Sequence, residues 1–458
     1  MSRRSIRVAR VLFCAGWAVA LALAFKGGAT AIGTTPEHLL GLIPAAYLAA
    51  WGPYFLLSGR GPAVRGGRFL AASMAIAFCL ALFELPAAFG LLDYRAVFST
   101  PTPPWRRPGN RPDPDLVFVR RGHRHDRIRF AGADLHRLRG ASGSTYLCDL
   151  LTDRDGFRND VDLRSSDVII LGDSFIEGLQ VRAEELVSSR LADRLGRPVA
   201  NLGRTGYGPQ QELEVLRRFG VPLRPKTCVW AFYEGNDLQD VASYEADRDR
   251  ARGAGARPES GGRAWYDRSL SRNALAWTIR EVLRPEPTRP AAQLAGTFPT
   301  RAGGPVPIYF SCGDHEGERR RGASRARSEE LRRVRSILAE ARAACEKAGI
   351  DLIVAFVPTK FRVYRDRCRF GADSLCRDWA TDDLPEALAA ALALDAPGSG
   401  FLDLTVPFRA DAASGELPYL ADDTHWSARG HEVAAEALAG LIAARRASPP
   451  AGSNLATR

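Results

Sequence analysis

Apolar positions follow two different rules along the chain. In the first hundred residues, stretches 11–32, 39–57 and 69–92 are apolar runs of about the length that crosses a bilayer core as a helix. Past residue 160 short apolar runs alternate with amphipathic ones. Stretches 167–171 (DVIIL), 199–202, 228–233, 351–357 (DLIVAFV) and 401–404 read as buried strands, and 182–195, 210–219, 331–348 and 427–444 as helices. This alternation predicts an α/β domain over 161–445, a parallel sheet between two helical layers. In such sheets the chemistry collects at the carboxyl ends of the strands.

Between these regimes lies 99–115, with Pro at 101, 103, 104, 108, 112 and 114, which reads as a semi-rigid spacer. Residues 116–160 read as a small β-rich approach to the main domain. An insertion at 240–330, rich in Gly, Pro and Arg, reads as a lid, a binding loop or a disordered segment, and 446–458 as a flexible tail.

The flanks of the apolar stretches orient them. Arg3, Arg4, Arg7 and Arg10 precede the first, only Lys26 borders the first loop, and Arg60, Arg65 and Arg68 lie in the second. Positive flanks stay inside, so three retained helices in the cytoplasmic membrane would leave the α/β domain on the periplasmic or extracellular side. The first stretch also fits a cleaved signal sequence, but two more apolar stretches follow at once. Glu84, beside Pro86, reads as a carboxylate near the interface or packed between helices.

Composition sharpens the picture in one respect. The 458 residues carry a net charge of +11, yet Lys occurs only at 26, 226, 347 and 360, and all other basic residues are Arg. That skew points to compositional bias rather than to a nucleic-acid surface, so no nucleic-acid partner is expected. Of eight Cys, 14 and 79 fall in the apolar stretches and 148, 228, 312, 345, 368 and 376 outside. Cys368 and Cys376 make the best disulfide pair, while Cys228 and Cys345 suit packed free thiols. His123, His125, Asp126 and His136 lack ligand spacing; no metal or other cofactor is expected.

Three strand ends carry polar residues that the fold does not require. Ser174 follows the first strand in Gly172-Asp173-Ser174-Phe175, Gly203 and Gly206 follow the second, and Gly235-Asn236-Asp237 follows the third. A serine nucleophile needs a base, and only His315, His425 and His431 lie beyond it. His425 is the best placed: it stands just before the last helix, with Asp422 and Asp423 upstream to orient its ring.

These blocks, in this order, resemble the SGNH or GDSL-like hydrolase superfamily, whose fold is a flavodoxin-like α/β/α sandwich. The resemblance implies Ser174 as nucleophile and His425 as base, with an oxyanion hole from the Ser174 and Gly206 amides and the Asn236 side chain. Asp422 matches the usual D-x-x-H, whereas alginate-type O-acetyltransferases of the superfamily place the aspartate two residues before the histidine, at Asp423. Val357-Pro358-Thr359-Lys360 with Val363-Tyr364 is similar to a segment of membrane-associated polysaccharide acetyltransferases, where Lys360 would meet an anionic sugar unless it is simply solvated in a turn. Trp265 and Tyr266 in the insertion would stack on sugar rings or anchor a flap.

The expectation is therefore a membrane-anchored serine esterase removing O-acyl groups, acetyl above all, from a cell-envelope glycan or a small ester. The alternatives are an O-acetyltransferase of an exported polysaccharide, which with three spans would need a membrane partner to supply acyl groups, and a catalytically inactive glycan-binding or assembly subunit.

Overall fold

Alternation within the central strands builds two cores. In the computed structural model, which describes residues 51–447 apart from 56, 99, 101–102, 108, 136–137, 142, 256–260, 284–288, 302, 311–323 and 396–399, five strands form one parallel sheet. They are β1 (Val168–Gly172), β2 (Val199–Gly203), β3 (Thr227–Tyr233), β4 (Asp351–Val357) and β5 (Gly400–Asp403). Val168, Ile170, Val229, Ala231, Ile353 and Ala355 face one way, against helices Val187–Leu195 and Ala428–Ala447. Ile169, Leu171, Cys228, Trp230, Leu352 and Val354 face the other, against Pro209–Val215, Asp237–Gly255, Ser324–Ala348 and Leu384–Asp395. Because both faces are covered, the strands are continuous apolar runs, and the period of two shows only in which core each residue enters.

The spatial order is β2-β1-β3-β4-β5, with every pairing parallel. The chain steps outward from β1 to β2 and then returns to the far side of β1 for β3. This reversal is the topological switch point, where loops following adjacent strands diverge and leave a crevice. Ser174 follows β1, and Asn236 follows β3.

The chain divides into two compact units, residues 1–102 with 257–287 and residues 103–256 with 288–458. Two expectations change, those for the spacer and for the insertion. Asn110–Asp113, expected in the spacer, is a strand paired antiparallel with Val117–Arg120. A second antiparallel pair, His125–Ala131 with Thr145–Leu151, follows it in the second unit, in the segment expected to be β-rich. The insertion is not one irregular lid. Its start is the long helix Asp237–Gly255 and its end the hairpin Ala295–Pro299/Pro305–Tyr309, which also pairs with Arg369–Phe370. Only its middle belongs to the other unit.

In that other unit, Pro62–Ala88 is a 27-residue helix of mean hydropathy 2.0, the one helix among the described residues long and apolar enough to cross a membrane. It starts earlier and ends sooner than the expected 69–92. Stretch 11–32 and most of 39–57 lie outside the described residues. Glu84 on this helix accepts from the backbone N–H of Leu270 (3.0 Å) and Ser271 (2.7 Å), the first turn of helix Leu270–Trp277. Those amides have no partner within their own helix, so the carboxylate serves as their cap and favours the positive helix end.

Cysteines 79, 148, 228, 345, 368 and 376 are free thiols. The expected 368–376 bridge is absent: Cys376 is buried in the first core, and Cys368 packs against Gly296. Burial pushes the Cys368 thiol up to about 12.

Candidate active site

β1 ends in a turn that presents Ser174 as the first residue of the short helix Ser174–Glu177. Asp173 caps that helix, its carboxylate accepting from Phe175 N–H at 2.9 Å, and leaves the serine hydroxyl half-exposed at the sheet's carboxyl edge. His425 Nε2 lies 2.8 Å from Ser174 Oγ, so the hydroxyl donates to the ring. On the other side, Nδ1 lies 2.6 Å from Asp423 Oδ1. The three side chains form one hydrogen-bonded relay.

Asp423, not Asp422, faces the imidazole. Asp423 Oδ1 also accepts the backbone N–H of His425 at 3.0 Å, the two-residue turn that an aspartate makes with its own backbone. Its second oxygen takes the Ala133 amide at 2.8 Å. Burial would raise the Asp423 carboxyl, but the hydrogen bonds and the His425 charge outweigh it and hold it at about 2. Burial lowers His425, and the bond and charge of Asp423 lift it above its ordinary 6.5. Asp422 turns away and accepts from Ser144 N–H and the Tyr146 hydroxyl.

The His-bearing loop is thus gripped by the segment expected only to approach the domain. Backbone contact is so close that a Cβ at Gly132 would fall 2.1 Å from the Asp422 carbonyl oxygen, and one at Gly143 2.3 Å from its carboxylate. Lys360, expected to meet an anionic sugar, is fully buried instead. Its ammonium is paired with buried Asp134 and donates to the carbonyls of Leu420 and Asp423, both at 3.0 Å. A buried cation satisfied on several sides holds a loop and is not available to substrate. Thr424 reinforces the grip by donating to Asp134 at 3.1 Å.

The loop after β2 is anchored by a second buried network. Glu177, fully buried, pairs with Arg120 (2.5 Å) and Arg204 (2.9 Å) and accepts Thr205 N–H at 2.9 Å. Burial acts to raise its carboxyl, but the two guanidinium groups hold it at about 2. Arg204 N–H donates to the Gly172 carbonyl at 3.0 Å, so this loop is tied directly to the nucleophile's strand. Next comes Gly206, with φ +82°, a conformation that favours glycine. Its N–H donates to no group among the described residues. Asn236 opens the helix Asp237–Gly255, its carbonyl accepting from Gln239 and Asp240 N–H at 2.8 Å each, and its side chain acts on the same Asp173 carboxyl that senses His425. Nucleophile, glycine amide and asparagine amide are therefore carried by loops after β1, β2 and β3, side by side in the sheet.

Other candidates fall elsewhere. His431 is buried, its Nδ1 accepting Val187 N–H at 3.2 Å, and burial drives its ring down to about 3. His315 and His136 lie outside the described residues. Trp265 and Tyr266 belong to the other unit, edge to face at 6.1 Å, with the Arg272 guanidinium over the Tyr266 ring. Gln180, which sequence reasoning passed over, sits 2.9 Å from His425 Nδ1. That nitrogen donates to Asp423, so the amide suits it best with its oxygen turned toward the ring. Arg120, Asp134, Glu177 and Arg204 were missed as well, because their partners lie dozens to hundreds of residues away.

Residues 317–457 match the family model described as SGNH hydrolase-like domain, acetyltransferase AlgX, a span that includes Asp423 and His425 but not Ser174. No curated relative matches the chain. Solved structures similar to it include a variant of an acetyl-xylooligosaccharide esterase from Geobacillus Stearmophilus, 12% identical, covering 61% of this chain and 95% of the other with TM-score 0.32. A carbohydrate esterase family 2 enzyme with a carbohydrate-binding domain from Corynascus thermopiles is 13% identical, covering 68% and 75%, with TM-score 0.31. Residues 317–457 thus resemble the SGNH hydrolase-like domain of the acetyltransferase AlgX.

Proposed function

We propose that the chain is a serine-dependent acyl-modifying enzyme that carries acetyl groups on Ser174 and passes them to a hydroxyl of a cell-envelope glycan. The carrying observation is the relay from Ser174 Oγ through His425 to Asp423, set at the switch point of the sheet. In the first step His425 Nε2 takes the Ser174 proton as Oγ attacks the ester carbonyl of an acetyl donor, and Asp423 stabilises the resulting imidazolium. The oxyanion meets the Ser174 and Gly206 amides and the Asn236 side chain. Collapse of the tetrahedral intermediate breaks the bond to the donor's alcohol oxygen, which leaves with the proton from His425. In the second step His425 deprotonates the acceptor hydroxyl, which attacks the acetyl-serine carbonyl; the bond to Oγ then breaks, and His425 returns the proton to Ser174.

Hydrolysis differs only in that water is the acceptor, and the sequence alone favours it. Two observations favour transfer: the aspartate on the ring is the one two residues before His425, and the C-terminal match is to an acetyltransferase domain. The apolar helix Pro62–Ala88 supports anchoring in a membrane. The Arg-rich flanks of the apolar stretches favour a catalytic unit outside the cytoplasm, where a membrane partner would supply the acetyl donor.

The test uses the full chain in detergent. A fluorophosphonate should label the wild type and not Ser174→Ala, and 4-nitrophenyl acetate should be consumed faster when an oligosaccharide acceptor is added, with acetylated oligosaccharide appearing by mass spectrometry. Consumption unchanged by acceptors, with free acetate as sole product, would return the reading to esterase. No labelling would leave the inactive-subunit reading.

A further inference from the structure

A cavity of about 360 Å³ opens beside Gly206 in the catalytic unit. Its volume is in the range of small-ligand sites. Pro103 and Pro104 form one lip, Trp105 and Phe118 supply aromatic wall, and Tyr244 closes the side formed by helix Asp237–Gly255. Tyr244 is held in place by donating its hydroxyl to the Asp115 carbonyl at 2.7 Å. Two of the three charged groups on the wall cancel: Arg250 pairs with Asp247 at 2.7 Å. The third, Asp240, lies one helical turn beyond Asn236; burial and the Asp173 and Asp247 carboxylates push its carboxyl up to about 7, so it is ionised only above neutral pH.

Gly206, on the loop that follows β2, lies on the wall of this cavity, so the cavity opens at the carboxyl end of the sheet. Aromatic walls with one uncompensated carboxylate suit a sugar ring: its C–H face packs on the aromatics and a hydroxyl donates to the carboxylate. Where Asp240 is ionised, a uronate would bring a second negative charge against it, and the one cation on the wall, Arg250, is paired with Asp247, so like-charge repulsion selects against it. We propose that this cavity is the glycan subsite of the enzyme and that it takes a neutral sugar, with Asp240 accepting a ring hydroxyl and excluding acidic glycans. The proposal rests on the acyl-modifying reading above, and it replaces Lys360 as the source of sugar selectivity.

The experiment measures binding without turnover. Full-length Ser174→Ala in nanodiscs is titrated by calorimetry on the alkaline side of neutral, where Asp240 is ionised, with cellohexaose and mannohexaose as neutral probes and hexagalacturonate as the acidic one. A neutral probe should bind at least tenfold more tightly than hexagalacturonate, and Asp240→Asn or Trp105→Ala should weaken it at least fivefold, while Arg301→Ala, at an exposed site elsewhere, leaves it unchanged. Asp240→Lys should invert the preference toward hexagalacturonate, a gain that misfolding cannot mimic. Equal or tighter binding of hexagalacturonate, no binding of either neutral probe, or indifference to Asp240 and Trp105 substitution would overturn the subsite. Fluorophosphonate labelling of the wild type separates the two failures: if labelling persists, only the subsite falls, and if it is absent, the serine-enzyme reading falls with it.

Discussion

Asp422 and Asp423 are adjacent in sequence and point to opposite tasks: Asp423 Oδ1 lies 2.6 Å from His425 Nδ1, while Asp422 binds Ser144 and Tyr146 on the neighbouring hairpin. Substitution separates them. Asp423→Asn should lower kcat for 4-nitrophenyl acetate by about 10³ to 10⁴, because an amide there favours the wrong ring tautomer. Asp422→Asn should retain most of the rate in folded protein but lose stability, on the order of 1–3 kcal/mol for a buried acceptor with impaired partners, read as a drop in Tm.

The same pair of groups sets the pH response. His425 must be neutral to accept the serine proton, and Asp423 raises its pKa, so kcat/KM should rise with pH through an inflection above 6.5. In Asp423→Asn that inflection should move to lower pH, although the plateau falls. For stability the signs differ. The depressed Asp423 carboxyl contributes stability that is full above its ordinary 3.8 and is lost as pH falls toward about 2. The raised His425 contributes stability that is full below 6.5 and is lost as pH rises through its folded value. Rate profiles and melting curves across pH check the two effects independently.

Asn236→Ala tests the oxyanion assignment. Loss of one donor aimed at the developing charge should cost roughly 10² to 10³ in kcat with little change in KM. An equal rise in KM with kcat preserved would assign Asn236 to ground-state binding instead.

Lys360→Met should behave as a folding mutation. It takes the ammonium partner from the buried Asp134 carboxylate, and breaking a buried ion pair in this way typically costs about 3–5 kcal/mol. Adding Asp134→Leu should recover part of the lost Tm. A Lys360 variant that melts like wild type while KM rises would restore the sugar-binding role.

How much of this was legible beforehand depends on distance along the chain. The strands of the sheet announce themselves locally, as runs such as DVIIL and DLIVAFV, because strands buried on both faces have no polar side to confuse the pattern. Ser174, Gly206, Asn236 and His425 stand out because strand ends are short and their polar residues few. The choice between Asp422 and Asp423 was not legible, since it is made by the Ala133 and Ser144 amides nearly three hundred residues earlier. Lys360 was misread for a related cause: its carboxylate partner is Asp134, 226 residues away, and nothing near Lys360 in sequence suggests burial. The insertion looked uniform in composition, yet its parts are divided between two compact units by packing that composition does not encode.

The closeness of Gly132 and Gly143 to Asp422 also bears on where the catalytic domain begins. A recombinant fragment cut just before β1 would retain every signature residue of the superfamily, from Ser174 to His425, and still discard the Ala133, Asp134, Ser144 and Tyr146 contacts that aim the base. Its Lys360 would face an empty place in the interior. The compact unit that carries the Ser174–His425–Asp423 relay starts instead at residue 103, so the hairpins ahead of the sheet belong to the same unit as the site they brace.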